Sequence, residues 1–275
     1  MWDPMTQTLS WVDLHAGLLH RRQADTVATY ALGAPLSAAL PTPEGMLVVQ
    51  GASVRLMADV AKPTAARVVT EIPLGAALRC NDAQFDPWGR LWVGSMAPSR
   101  PGAAALYYLE SDGSSPVLAF GGLTLANGIG WSPDGTELYV VDTIDRVVFS
   151  AGLDNRGRPQ TAFTIRLDLR AVHGVPDGLC VDADGGIWIA LFGAGEVRCY
   201  EPSGELRQVI KLPVRCPTSV AFVGPGIDEL VITTARTTPN TTDSSRDAGR
   251  LLAARPGVRG QGVLSRGDGY RRRLG

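Results

Sequence analysis

An all-β fold built from six similar units is predicted by three observations: a recurring turn-and-strand motif, its spacing along the chain, and the lack of any stretch suited to a long helix. The motif is a turn rich in Asp, Pro and Gly, followed by an apolar strand centred on an aromatic or branched residue. Its clear copies are Asp86-Pro-Trp-Gly-Arg-Leu-Trp-Val-Gly, Ser132-Pro-Asp-Gly-Thr-Glu-Leu-Tyr-Val-Val-Asp and Asp182-Ala-Asp-Gly-Gly-Ile-Trp-Ile-Ala. Weaker copies are Thr8-Leu-Ser-Trp-Val-Asp, Glu44-Gly-Met-Leu-Val-Val and Gly226-Ile-Asp-Glu-Leu-Val-Ile-Thr. The strand centres Trp11, Val48, Trp92, Tyr139, Trp188 and Val231 recur roughly every 37 to 49 residues, the length of a four-strand blade. Helical repeats of similar length exist. These segments, however, are rich in Val, Ile, Trp and Tyr and broken by Gly and Pro, which suits strands. The prediction is a six-bladed β-propeller, with four-stranded antiparallel blades around a central pore.

Each unit carries further strand signals after its motif: Leu106-Tyr-Tyr-Leu, Arg146-Val-Val-Phe and Glu196-Val-Arg-Cys-Tyr. Polar turns such as Ser111-Asp-Gly and Pro202-Ser-Gly follow and suit hairpins, because Gly and Asp accept positive φ. Asp182-Ala-Asp-Gly is read the same way, not as a calcium loop, because no Glu closes it twelve positions on. Six copies fill residues 1–262 as one domain and leave 263–275 as a polar, basic tail with Arg271, Arg272 and Arg273.

Composition narrows the function. Hydrophobic residues make up 45% and charged residues 19%, enough for a packed core. With 26 basic against 27 acidic residues there is no electrostatic footprint for a phosphate backbone, so nucleic acid is not an expected partner. No apolar run reaches the roughly 20 residues that span a bilayer, and no secretory signal opens the chain. A cytoplasmic protein is therefore expected, with no membrane partner and with Cys80, Cys180, Cys199 and Cys216 as reduced thiols. In that setting the Asn240-Thr-Thr sequon and the Arg266-Gly-Asp triplet carry no meaning.

Chemistry is expected just before the strongest motifs. There the chain reads Leu78-Arg-Cys-Asn81, Leu125-Ala-Asn127-Gly, Val175-Pro-Asp177-Gly and Arg215-Cys-Pro-Thr218. Asn81, Asn127, Asp177 and Thr218 hold one position in successive units, at the start of the innermost strand, and in a propeller such residues ring the channel. Asn and Asp oxygens form a hard donor set suited to Ca²⁺, Mg²⁺, Mn²⁺ or Fe²⁺. Against this, Asn-Gly and Asp-Gly are ordinary turn formers. His15, His20 and His173 suggest no competing catalysis, His173 reading as a solvent-exposed loop residue. Neither a G-x-S-x-G elbow nor an H-E-x-x-H pair is present.

On these residues the sequence resembles the senescence marker protein, regucalcin and gluconolactonase group of six-bladed propellers. The resemblance rests on Arg79-Cys-Asn81-Asp82, Asp86 to Met96, Asn127-Gly with Trp131-Ser-Pro-Asp-Gly, Pro176-Asp177-Gly178, Leu191 to Arg198, Pro217 to Phe222, Ala248-Gly and Pro256-Gly-Val-Arg-Gly. It implies a hydrolase of small sugar lactones with one divalent cation, whether Ca, Mg, Mn, Zn or Fe. It further implies Asn127 and Asp177 as metal ligands, Asp177 as general base and acid, and Arg79 and Asn81 as substrate-binding residues. Where some relatives carry an acidic substrate contact after the Met96 position, this chain has Ala97-Pro-Ser-Arg-Pro-Gly, so Ser99 or Arg100 is expected to face the substrate. The family pattern also has a Glu ligand in a Gly-Glu-Gly-Pro-like segment before a Trp-Asp pair. Here that pair is Trp2-Asp3, preceded by Met1 alone, so the first blade is expected to be short. Either the natural start lies upstream, which the immediate resumption of the match favours, or the ligand is lost. The lost ligand leaves open a non-catalytic propeller that binds a small ligand or serves a regulatory role. Another ester, such as a phosphotriester, is a further alternative substrate.

Overall fold

The computed structural model describes residues 1–110, 115–238 and 241–262. The turn at Ser111, Asn240, the Arg-Gly-Asp triplet and the basic tail lie outside the described residues. The fold is an all-β, six-bladed propeller of antiparallel sheets, and the described chain forms two compact units, residues 1–126 and 127–262.

The first unit holds three four-stranded sheets. Its first sheet comprises β1 (Trp2–Asp3), β2 (Thr8–Asp13), β3 (Leu18–Gln23) and β4 (Thr26–Ala31). The second comprises β5 (Leu36–Thr42), β6 (Gly45–Gln50), β7 (Ser53–Met57) and β8 (Arg67–Glu71), and the third comprises β9 (Arg79–Phe85), β10 (Leu91–Met96), β11 (Ala104–Leu109) and β12 (Val117–Leu123). In the second unit the fourth sheet is β13 (Ala126–Trp131), β14 (Glu137–Asp142), β15 (Val147–Gly152) and β16 (Thr164–Asp168), and the fifth is β17 (Val175–Val181), β18 (Ile187–Phe192), β19 (Glu196–Tyr200) and β20 (Leu206–Lys211). The sixth sheet starts with β21 (Pro217–Val223) and β22 (Glu229–Thr234). A separate hairpin of β23 (Thr237–Thr238) and β24 (Thr241–Thr242) follows, and β25 (Leu252–Ala254) then joins the sixth sheet beside β22. The expectation of four strands in every blade is therefore corrected for the sixth sheet, which has three among the described residues. The helical content of the described residues is one short 3₁₀ turn, Pro63–Ala65, and no helix is long and apolar enough to cross a membrane.

All six strand centres fall on the second strand of their sheet: β2, β6, β10, β14, β18 and β22. These strands are the most apolar because both of their faces are covered. Leu47, Val48 and Val49 are fully buried on consecutive positions, as are Ile187, Trp188, Ile189, Ala190 and Leu191. Val48 packs with Leu19, Leu36 and Met57 on one side, and Leu47 and Val49 pack with Cys80, Leu91 and Val93 on the other. A strand between two layers reads as a continuous apolar run, whereas a strand with one wet face alternates. The exposed outer strand β4 shows the second behaviour from Val27 onward.

The motif's acid explains why the repeat is so legible. Asp182 Oδ1 accepts the Asp184 and Gly186 N–H groups at 3.0 and 2.7 Å, which closes the turn between β17 and β18 as expected. Its Oδ2 accepts the indole N–H of Trp188 at 2.8 Å and a guanidinium N–H of Arg207. Asp86 repeats the scheme: Trp88 and Arg90 N–H to Oδ1, both at 2.9 Å, with the Arg90 guanidinium and the Trp92 indole on Oδ2. Each buried acid ties a turn to the tryptophan six residues on, so Asp, Gly and Trp must appear together. The four cysteines are free, and burial pushes the Cys80 thiol up to about 12, which keeps it protonated and unreactive at neutral pH.

Candidate active site

In the second unit, Asp177 and Thr218 sit where the first strand of their sheet departs from regular pairing. On β17 the ladder pairs Pro176 with Leu191 and resumes at Leu179 with Ile189, leaving Asp177 and Gly178 out of register. On β21 it jumps from Pro217 to Ser219 and omits Thr218. Bulges of this kind turn a side chain away from the face that alternation would give it, and they gather beside functional sites. Asn127-Gly and Asp177-Gly are therefore strand residues, not turns.

The glycines serve close approach. A Cβ on Gly128 would lie 2.2 Å from the backbone nitrogen of Leu179, and one on Gly178 would lie 2.3 Å from Ser219 Oγ. Only Gly at these positions lets β13 lie against β17 and β17 against β21. That contact brings two site residues together: Asn127 Nδ2 donates to Asp177 Oδ1 at 2.5 Å and to Thr143 Oγ1 at 3.1 Å. Thr218 instead bonds Thr233, Oγ1 to Oγ1, at 2.7 Å.

The loop entering β17 is braced from behind. The Arg146 carbonyl accepts the Leu169 N–H at 2.9 Å, and the Arg146 guanidinium donates to the Val172 carbonyl. Residues 169–172 are thus held at both ends, four positions before Pro176. His173 lies exposed in this loop, as expected.

In the first unit, β9 shows the same irregularity. Gly94 pairs with Asp82 and Ser95 with Cys80, so Asn81 is left out of the ladder. Its Nδ2 donates to the Ala126 carbonyl at 3.1 Å. Arg79 Nη1 donates to the Cys80 carbonyl at 2.8 Å and reaches Asn81 Oδ1 at 3.4 Å. Arg79 is half-buried and, among the described residues, forms no ion pair. Burial accordingly lowers its hold on its proton, an effect that the nearby Cys80 opposes. Ser99 is exposed in the loop after β10.

Sequence reasoning missed Ser37. The β5 ladder jumps from Leu36 to Ala38, which gives Ser37 the position in the second sheet that Asn81 holds in the third. Its Oγ donates to the Cys80 carbonyl at 2.7 Å. Ser37 stands as far before Val48 as Asn81 does before Trp92, so counting back from the strand centre finds it. The amide-or-acid signal did not.

Asp82, beside Asn81, gives a pH prediction. Burial pushes its carboxyl up to about 6, against one backbone donor, the Ala83 N–H at 2.8 Å. A carboxyl whose folded pKa is raised is protonated more readily in the native state than in the unfolded one. Its contribution to stability is greatest below the unfolded pKa and falls as pH rises toward 6, by on the order of 2–3 kcal/mol. Asp82→Asn should therefore gain stability relative to wild type between pH 4 and pH 6.5. Urea unfolding of both proteins at the two pH values measures this, and parallel pH dependences would contradict it.

The donors at Asn127 and Asp177 are an amide and a carboxylate, both hard oxygen ligands. Among the described residues no three His, Cys, Asp or Glu side chains converge. The pair therefore fits a hard cation that keeps water or substrate oxygens in its remaining positions, not a soft ion seeking thiolates.

Comparison with known proteins agrees with this arrangement of sheets and strands. Residues 1–236 match the model of the SMP-30/gluconolactonase/LRE-like region, and the chain belongs to that family. A 6-deoxy-6-sulfogluconolactonase of Pseudomonas putida is 34% identical over 86% of this chain and 82% of its own. A pentonolactonase of Haloferax volcanii is 30% identical over 86% and 80%. The solved structure of a calcium-binding protein, regucalcin, from Agrobacterium tumefaciens superposes with a TM-score of 0.85 at 27% identity, covering 94% of this chain and 89% of that one.

Proposed function

We propose that this chain hydrolyses small sugar lactones with the help of one divalent cation, with Asp177 as general base and acid. The observation that carries the reading is the Asn127–Asp177 pair, brought together at the β17 bulge by close approach at Gly128 and Gly178. Family membership and two relatives named as lactonases support the substrate class, and a calcium-binding structural relative supports the cation.

Asn127 and Asp177 would hold the cation, which when bound supplies polarisation of an ester carbonyl. Asp177 accepts a proton from the attacking water at a carboxylate oxygen. It returns that proton to the ring oxygen as the C–O bond opens, so one group serves as base and then acid. Asn127 donates to Asp177 and fixes the direction of its lone pairs. Arg79 offers a planar set of donors to substrate oxygens, and Asn81, oriented by Ala126 and Arg79, offers a second polar contact.

The test is a panel of sugar lactones followed by proton release, with Ca²⁺, Mg²⁺, Mn²⁺, Zn²⁺ or Fe²⁺ supplied and then chelated. Cation-dependent turnover above the spontaneous rate is expected for at least one lactone. Spontaneous rates throughout would overturn the reading.

A further inference from the structure

Asn127 is held from behind by a residue that sequence reasoning passed over. Its amide nitrogen donates to Asp177 Oδ1 and, at 3.1 Å, to Thr143 Oγ1. An ionised carboxylate only accepts, so the amide must turn its nitrogen, not its oxygen, toward Asp177. That nitrogen carries two hydrogens, and Thr143 offers an acceptor for the second. With both N–H groups engaged, Oδ1 is the end of the amide offered to a ligand.

Burial separates the roles. Asn127 and Asp177 are partly accessible, although Ala126, Gly128, Pro176 and Gly178 on either side of them are buried. Thr143 is only 8% exposed, so its hydroxyl serves the protein and not a ligand. Burying a hydroxyl is costly unless it is hydrogen-bonded, and the bond with Asn127 meets that need. The turn that carries Thr143 is itself fixed. Asp142, just before it and fully buried, accepts the Ile144 and Asp145 N–H groups at 3.1 and 3.3 Å. Arg146, at the end of the turn, is tied to the Leu169 N–H and the Val172 carbonyl. The sixth sheet repeats the scheme: Thr233 on β22 supports Thr218 on β21, as Thr143, just past β14, supports Asn127 on β13.

We propose that Thr143 is a positioning residue for the cation site, its hydroxyl locking the Asn127 amide with Oδ1 turned to the cation. The proposal rests on the cation-binding part of the reading above. The terminal torsion of an asparagine is soft. One hydrogen bond leaves the amide plane free to swing about the Asp177 contact, and a second, from a buried and fixed turn, removes that freedom before the cation arrives. Thr143 thus acts through Asn127 and not on the reacting atoms.

The test is calorimetric titration of Ca²⁺ and Mn²⁺ into wild type, Thr143→Val, Thr143→Ser, Asn127→Ala and the double variant Asn127→Ala with Thr143→Val. Thr143→Val keeps the branched shape and removes the hydroxyl, and it should weaken cation binding about tenfold, the usual worth of an outer support to a metal ligand. Thr143→Ser should restore most of the affinity. Thr143→Ala removes the hydroxyl by another route and should match Thr143→Val, so the outcome does not hang on the folding of one variant. In the Asn127→Ala background, Thr143→Val should change nothing further, because its effect passes through the amide. A residue that merely supports the fold would lower affinity by a similar factor in both backgrounds. Equal affinity in wild type and Thr143→Val, or an equal loss with and without Asn127, overturns the proposal. A wild type that binds a cation but hydrolyses no lactone overturns the lactonase reading and leaves this proposal to the titration. A wild type that binds neither cation overturns the proposal, and the lactone panel then decides the lactonase reading alone.

Discussion

Asp177→Asn is expected to lower kcat for lactone hydrolysis by about 10²- to 10⁴-fold, the usual worth of a positioned general base. The substitution is nearly isosteric, so the bulge at Pro176–Leu179 and the contact with Asn127 can persist. What is lost is the capacity to accept a proton. Part of a cation's charge compensation is lost as well, because an amide is a weaker ligand than a carboxylate. If proton transfer is the role, kcat falls more than KM rises, and supplying more cation does not rescue the rate. A change confined to KM, or full recovery with excess cation, would move Asp177 from base to ligand alone.

The second large effect concerns stability. Asp182→Ala should cost about 3–5 kcal/mol, because it leaves the Arg207 guanidinium without this partner and strands the Trp188 indole N–H and two turn N–H groups. Asp182 and Trp188 are both fully buried, so water cannot replace the lost acceptor. Against a typical total of about 5–15 kcal/mol this is a large fraction. Asp134 makes the natural control. It occupies the equivalent turn but is exposed, and its Oδ1 accepts Ser132 and Thr136 hydroxyls and the Thr136 N–H, bonds that hold its carboxyl below the usual range. Asp134→Ala should cost about 1 kcal/mol or less. Urea unfolding at pH 7 separates the two, and equal costs would show that the buried acid is not the turn's anchor.

The same contrast explains what the sequence disclosed. Asp86 and Asp182 must bind their own turn and a tryptophan six residues on, and that fixed chemistry makes their sheets stand out at once. The second and sixth sheets lack the Asp–Trp tie, so their copies at Val48 and Val231 were weaker, although their strands form in the same order. The joining of β25 directly to β22, which leaves the sixth sheet with three described strands, was not legible because three residues of Leu and Ala carry no period.

Recurrence singled out Asn127 and Asp177, and their side chains are hydrogen-bonded to each other. Their conformation was not legible, since Asn-Gly and Asp-Gly serve turns and bulges equally well. The distinction depends on neighbouring strands pressing on Gly128 and Gly178, which are distant in sequence. Ser37 was overlooked for a related reason: a serine in a small, apolar run gives no hint of chemistry, and in the fold it supports the Cys80 carbonyl.

If Asn127 and Asp177 form one cation-binding, proton-transferring centre, both side chains are needed to hold the cation. Calorimetric titration of Ca²⁺ and Mn²⁺ into wild type, Asp177→Ala and Asn127→Ala tests it most directly. One site per chain is expected in wild type for at least one of these cations, with loss of detectable binding in Asp177→Ala and at least tenfold weaker binding in Asn127→Ala. Binding of equal strength in all three proteins would contradict it.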